Sequence, residues 1–401
     1  GTDAPFRIDV QPYQIDSMPA LHSGVFCESD GKWLLIGGRT NGLHGFQGLI
    51  LFPEYTQNTT IYVVDPSARK LWTATTDAVP AQIREHINSS NMQWVATSNG
   101  MLHIIGGYGY SNVRDSFITF PYRTSVRIDE LINAVTNKTS LNGLFKQEYD
   151  IRYAVCGAHA CEAQTPNHMR LIFGHRFDGI YNREDNGSGF TQQYTNSVAL
   201  IAIDSTSGRL SSWQSVSDTL NYHRRDYALG HSFSFRDKQR YVTAYSGVFT
   251  PKKNTAYTTC VDIRNDSIVH NSTINQLYSH YHCATATFLD TLANRNHTLF
   301  FGGMALNHPD STSGIPVLDT AIPFVRTISC ITRFNDGTFR ENVVGTLPSL
   351  EGTNAYFFPA KSPYPDMPVM QQNSRQFIGY MYGGIISPKP NISQEDPAIS
   401  T

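Results

Sequence analysis

The chain repeats one short sentence, an apolar run closed by two small residues, and this constrains its fold more than any other feature. The first copy is Trp33-Leu34-Leu35-Ile36-Gly37-Gly38, and it returns as Met101 to Gly107, ending Ile105-Gly106-Gly107. Further copies end in Phe173-Gly174-His175, Phe301-Gly302-Gly303 and Tyr382-Gly383-Gly384, and a weaker one ends in Tyr245-Ser246-Gly247. Six copies at intervals of about 55 to 80 residues exceed chance, and self-similarity on this scale marks a propeller or a solenoid.

Around each copy a four-strand unit can be drawn. In the first, residues 23–28 turn at Ser29-Asp30-Gly31 into the run 33–36, and a long polar loop leads to a strand over 60–65. A turn at Pro66-Ser67-Ala68-Arg69 then gives Leu71-Trp72-Thr73. The second half recurs as 197–204 with its turn at 205–208 and Trp213, and as 327–334 with Asn335-Asp336-Gly337. Such turn residues supply positive φ and local side-chain bonds, so each unit is expected to be an antiparallel meander. One segment breaks this rhythm: residues 127–135 space their apolar side chains as a helix does, with acids at the start, and predict a short helical packing insertion.

An apolar strand ending in Gly-Gly, a strand of the Tyr-x-x-Asp type and a following Trp resemble the kelch repeat. The longer stretches 37–46, 174–179, 223–227 and 300–304 look like secreted kelch-like proteins of Bacteroidetes. The resemblance implies an all-β fold, a six-bladed kelch-type β-propeller with long loops on one face and a single domain over residues 1–401. Residues 6–10 are a spare strand, assigned to the outside of the sixth blade, where it would close the ring. Residues from about 387 to 401 read as a polar tail.

The formal net charge is only -2 and Lys and Arg form no run, so nucleic acid is not an expected partner. No apolar run is long enough to cross a bilayer as a helix. Cys156 and Cys161 are spaced as a short disulfide loop allows, while Cys27, Cys260, Cys283 and Cys330 read as buried thiols. Asn-x-Ser/Thr sequons at Asn58, Asn88, Asn137, Asn186, Asn265, Asn271, Asn296 and Asn391 favour an extracellular or cell-surface glycoprotein, with a periplasmic address as the alternative.

In the meander the loops after every glycine pair and those leading into every first strand share one face. That face collects Arg39, Asn41 and His44; Tyr108, Tyr110 and Arg114; His175, Arg176, Asp178 and Tyr181; and Asn307 with His308. The segments leading into first strands bring His22, Arg152, Arg224, Arg225, Asp226, His280 and His282. Each of these has a plain structural role open to it, bonding loop carbonyls or pairing locally as Arg225 and Asp226 could. Taken as a cluster rich in Arg and His, they suit an anionic or hydroxyl-rich ligand such as a glycan, a polar small molecule or a protein partner. The residues expected to bind are Arg39, Asn41, His44, Tyr108, Arg152, His175, Arg176, Asp178, Arg225, Asp226 and His282.

Catalysis has less behind it. The chain has no Gly-x-Ser-x-Gly elbow, His-Glu-x-x-His pair or phosphate loop. Six-bladed kelch sialic acid mutarotases need only an acid/base pair, which His44, His175 or Asp178 could supply, though nothing identifies it. Kelch copper radical oxidases need two His, two Tyr and a Cys linked to Tyr, and no motif here fixes such a set, so no metal or cofactor is expected. The expectation is a binding module. Its main rival is a coat or filament subunit that assembles as a homo-oligomer through its many Tyr and Phe.

Overall fold

The computed structural model describes residues 4–44, 52–180, 189–361, 367–372, 374–392 and 399–401. It is dominated by antiparallel sheets, five of which have four strands. The first is Val25–Ser29, Lys32–Ile36, Thr60–Asp65 and Lys70–Thr75, each strand paired with the next in sequence. The second is Gln93–Ala96, Met101–Ile105, Tyr122–Arg127 and Lys146–Tyr149, and the third is His159–Glu162, His168–Ile172, Ser197–Ile203 and Leu210–Ser217. The fourth is Ala228–Ser234, Gln239–Tyr245, Cys260–Ile263 and Ile268–Asn271, and the fifth is Ala284–Asp290, Arg295–Phe301, Thr327–Arg333 and Phe339–Thr346. All five are meanders, as the turn chemistry predicts. Towards the C-terminus, Tyr356–Pro359 pairs with Gly379–Tyr382, and Leu350–Thr353, Ile385–Ser387 and Ile399–Ser400 form a three-stranded sheet.

The repeat has a backbone cause. At all six copies two consecutive residues take positive φ: Gly37/Gly38, Gly106/Gly107, Phe173/Gly174, Ser246/Gly247, Gly302/Gly303 and Gly383/Gly384. Glycine is the cheap residue for such a kink, and space enforces it: a Cβ on Gly302 would lie 2.2 Å from Glu351 O. The third copy is thus Phe173-Gly174, one residue earlier than the Gly174-His175 alignment suggests. With that frame, the residue after the pair is Arg39, Tyr108, His175, Val248, Met304 or Ile385. A second recurring kink precedes the first strands, at Ser23, Asn91, Gly157, Asp226, His282 and Asn354.

The chain divides into two compact units, one of residues 13–225 with Ser400, the other of residues 1–12, 226–399 and Thr401. In the first, the helix Ile128–Thr136 lies between the third and fourth strands of the second sheet, where a helix is expected. Its buried Ile128, Leu131, Ile132, Ala134 and Val135 join a cluster with Ile61, Val63 and Leu102. A second helix, Ala81–Ile87, has no strong periodicity in the sequence and follows Pro80.

In the second unit, residues 6–10 do not form a strand on Gly379–Tyr382. Instead Ile8 N donates to Val344 O of the fifth sheet at 2.8 Å. Phe6 and Ile8 pack on the cluster of Ile328, Val344 and Leu347, so burial of these two side chains decides where the segment lies.

Three of the loops after second strands carry strands of their own. They fold into hairpins: Tyr108–Ser111 with Ser116–Thr119, His175–Gly179 with Phe190–Tyr194, and Asn307–Pro309 with Pro316–Leu318.

The six cysteines are all described, and no two lie at disulfide distance, which corrects the Cys156–Cys161 bridge. The reason is the path between them. Cys156 is held by a backbone bridge to His175, while Cys161 runs on in the strand His159–Glu162 opposite Arg170, so extended chain separates the two. Cys27, Cys283 and Cys330 have thiols pushed up to about 12 by burial, in keeping with inert core positions. Three sequons are equally structural. Asn58, Asn88 and Asn296 are buried, and their side chains bond Gly37 O, Thr76 Oγ1 and Phe233 O, so they are not glycan acceptors. Asn137, Asn265 and Asn391 are exposed, Asn271 is half-buried, and Asn186 lies outside the described residues.

Candidate binding site

The two hairpins of the first unit are latched to each other. Thr119 is the hinge of the latch: its Oγ1 donates to Phe177 O and accepts from Phe177 N, at 2.5 and 2.8 Å. Thr119 N also donates to Asp178 Oδ1 at 2.9 Å, and Tyr108 OH donates to Gly179 O at 2.6 Å. Alternation along His175–Gly179 then sorts the predicted residues. His175 and Phe177 turn inward and are buried, whereas Arg176 and Asp178 face the other way and stay partly exposed.

On that outer side lies a cleft of about 480 Å³. Arg176, Asp178 and Phe190 come from one hairpin, Phe117 and Arg114 from the other, and Tyr149 and Ile151 from the end of the second sheet. Arg176 Nε donates to Asp178 Oδ2 at 2.6 Å, with the Arg176 side chain 43% exposed. Tyr149 and Ile151 are 58% and 48% exposed, an unusual degree for apolar side chains beside a cleft. Arg114 is exposed and makes no ion pair among the described residues. Two basic side chains, a carboxylate held in place and an exposed aromatic ring can together bind hydroxyls, an acidic group and the face of a sugar ring.

On the inner side the predicted residues form a chain of ring contacts. Arg39 lies over Phe52 at 4.7 Å, and His44 and Tyr108 contact the same ring at 5.0 and 5.2 Å. Tyr108 meets Phe177 at 5.4 Å, Phe177 meets His175 at 6.1 Å, and His175 meets Tyr194 at 5.5 Å. Tyr194 stacks on His223 at 3.7 Å and accepts from Arg225 Nε at 3.2 Å. Burial holds His223 below the usual histidine range. Asn41 is committed within this group, since its Oδ1 accepts from Arg39 Nε and its carbonyl lies 2.6 Å from His22 Nε2.

The other predicted residues have local employment. Arg152 grips Asp150 through Nε and Nη2, at 2.9 and 2.6 Å, and covers Trp213 at 4.8 Å. Asp226 and His282 belong to the second unit, where His282 N donates to Asp226 O at 2.8 Å and the side chains lie 3.6 Å apart. Tyr181 lies outside the described residues. Tyr149, Ile151 and Phe190 are absent from the predicted set. The signal for the hairpins was present, in aromatic alternation around the turn residues Asn112 to Asp115, but nothing in the sequence ties Tyr149 to them.

No protein-family model matches the chain, and no curated protein matches it. Among solved structures, it is similar to a fungal alcohol oxidase of the AA5 family in complex with copper, at 9% identity and a TM-score of 0.44, over 84% of this chain and 68% of that one. It is also similar to a chain from RAG in complex with one melted and one unmelted RSS, at 12% identity and a TM-score of 0.46, over 98% of this chain and 99% of that one. At these scores neither likeness bears on fold or function.

Proposed function

We propose that the chain is a six-bladed kelch-like propeller that acts outside the cell or on its surface as a binding module, taking a glycan or a polar, acidic small molecule in the cleft between its two latched hairpins. The sixfold recurrence of the positive-φ pair and the meander sheets support the propeller reading. Exposed sequons at Asn137, Asn265 and Asn391 agree with the address.

The observation that carries the binding reading is the cleft wall itself: the charged pair of Arg176 and Asp178 and the exposed ring of Tyr149 line the same cleft. An aromatic face and a guanidinium fork on one cleft wall suit a hydroxyl-rich or carboxylate-bearing ring.

The test is a glycan and acidic-ligand array probed with the wild type, Arg176→Ala and Tyr149→Ala. Arg176 is a partly exposed partner, so its removal leaves the Thr119 latch intact and costs about 1 kcal/mol or less of stability. Both variants are expected to lose array signal while melting close to the wild type. A wild type that binds nothing on the array, or variants that bind as well as it does, would remove the reading.

A further inference from the structure

Arg39 is a second unusual group, and it does not line the cleft. Its residue is 3% exposed, and no carboxylate pairs with it among the described residues. Its Nε is spent on Asn41 Oδ1 at 3.0 Å, and its guanidinium carbon sits over the Phe52 ring. The atom Nη2 is buried with no hydrogen-bond partner among the described residues.

The scaffold does not ask for a charge at this point. The equivalent residue after the other five kinks is Tyr108, His175, Val248, Met304 or Ile385, and Tyr108, Val248 and Ile385 are buried without any charge. Five of the six positions are buried and Met304 is half-buried. A buried guanidinium without a counter-ion is costly, because desolvation is unfavourable unless the charge is paired and its donors are bonded. Burial pushes Arg39 down to about 10, which still leaves it protonated at neutral pH.

We propose that Arg39 anchors a carboxylate-binding site, in which the Nη end of its fork receives the anion against the wall of Phe52. With Nε committed to Asn41, the approach is end-on, with Nη2 donating to a carboxylate oxygen. Residues 41–44, which carry Asn41 and the half-buried His44, form neither helix nor strand. The ligand class is a small monocarboxylate, or a sugar acid that presents the same group. This reading stands apart from the cleft, since it uses none of the cleft's residues.

Thermal melting at fixed ionic strength tests it, with sodium acetate and sodium glucuronate as probes and sodium chloride as the control. The wild type is expected to melt progressively higher with either carboxylate and not with chloride, following mass action. R39M, which places there the residue found at Met304, should melt at least as high as the wild type in chloride and show no carboxylate response. R39K keeps the charge but loses the fork, and should weaken the response about tenfold or more. A wild type indifferent to both carboxylates, or one equally responsive to chloride, overturns the site. An R39M protein that responds as the wild type does also overturns it, and one that melts well below it in chloride shows that the scaffold needs the arginine.

Discussion

Glu341 offers the most direct check of the physical reading, because its carboxyl is buried in the second unit and its partners are all donors. Leu277 N donates to Oε2 at 2.5 Å and Ser329 Oγ donates to Oε1 at 3.2 Å. Burial outweighs these bonds and pushes the carboxyl from 4.5 up to about 7. The folded state therefore holds a proton that the unfolded chain releases at lower pH. Stability contributed by this group falls as pH rises between about 4.5 and about 7, and the full penalty persists above that window. The gap corresponds to about 3 kcal/mol at about 1.4 kcal/mol per tenfold. Glu341→Gln keeps the shape: its carbonyl can accept from Leu277 N, and its amide can donate to Ser329 Oγ once that hydroxyl rotates. Burial also holds His86, His280 and His297 at about 4 and His103 at about 3, so they remain neutral when folded and drive stability the other way, down as pH falls below about 6.5. They are common to both proteins and cancel in the difference. Urea unfolding of both proteins at pH 5, 6.5 and 8 should show the variant gaining on the wild type by about 2 to 3 kcal/mol between the first and last pH. Parallel pH profiles would refute the argument that burial dominates at Glu341.

Two further changes test the repeat and the thiols. Gly302→Ala forces a side chain into positive φ against Glu351 O and should cost more than about 2 kcal/mol, whereas Gly208→Ala, also at positive φ but with nothing within 4 Å of the added Cβ, should cost about 1 kcal/mol. Urea unfolding of the two variants separates steric from purely conformational cost, and equal losses would sink the distinction. Alkylation of the unfolded, unreduced protein should add six groups by mass spectrometry, one per cysteine, and Cys161→Ser should leave the melting temperature unchanged. Four additions would restore the Cys156–Cys161 bridge.

What the sequence makes legible is what the backbone repeats. The apolar runs, the turns between third and fourth strands and the helix at 128–136 each have a local chemical signature, and each is present. Long-range choices have none. The resting place of residues 6–10 depends on which apolar cluster offers Phe6 and Ile8 the better burial, and the hairpins depend on loops finding each other through Thr119. A cysteine spacing says how far two thiols can be, not which way the strand between them runs.

The candidate site shows the same division. Arg176 and Asp178 were marked by residue type alone, but their separation from His175 by one and three positions does not say that they face away from it; the strand's alternation does. The misplaced third copy illustrates why. Read as glycine chemistry, the motif seems to end at Gly174-His175, yet the physical requirement is two successive positive-φ residues, and Phe173 meets it at φ 53 while Ser246 meets it at φ 55. Once conformation rather than residue name defines the frame, Arg39, Tyr108 and His175 become one position seen in three copies. A position that the scaffold fills with valine, methionine or isoleucine elsewhere carries its own chemistry in these three copies. The polar side chains placed there are therefore the ones whose presence the fold alone does not explain.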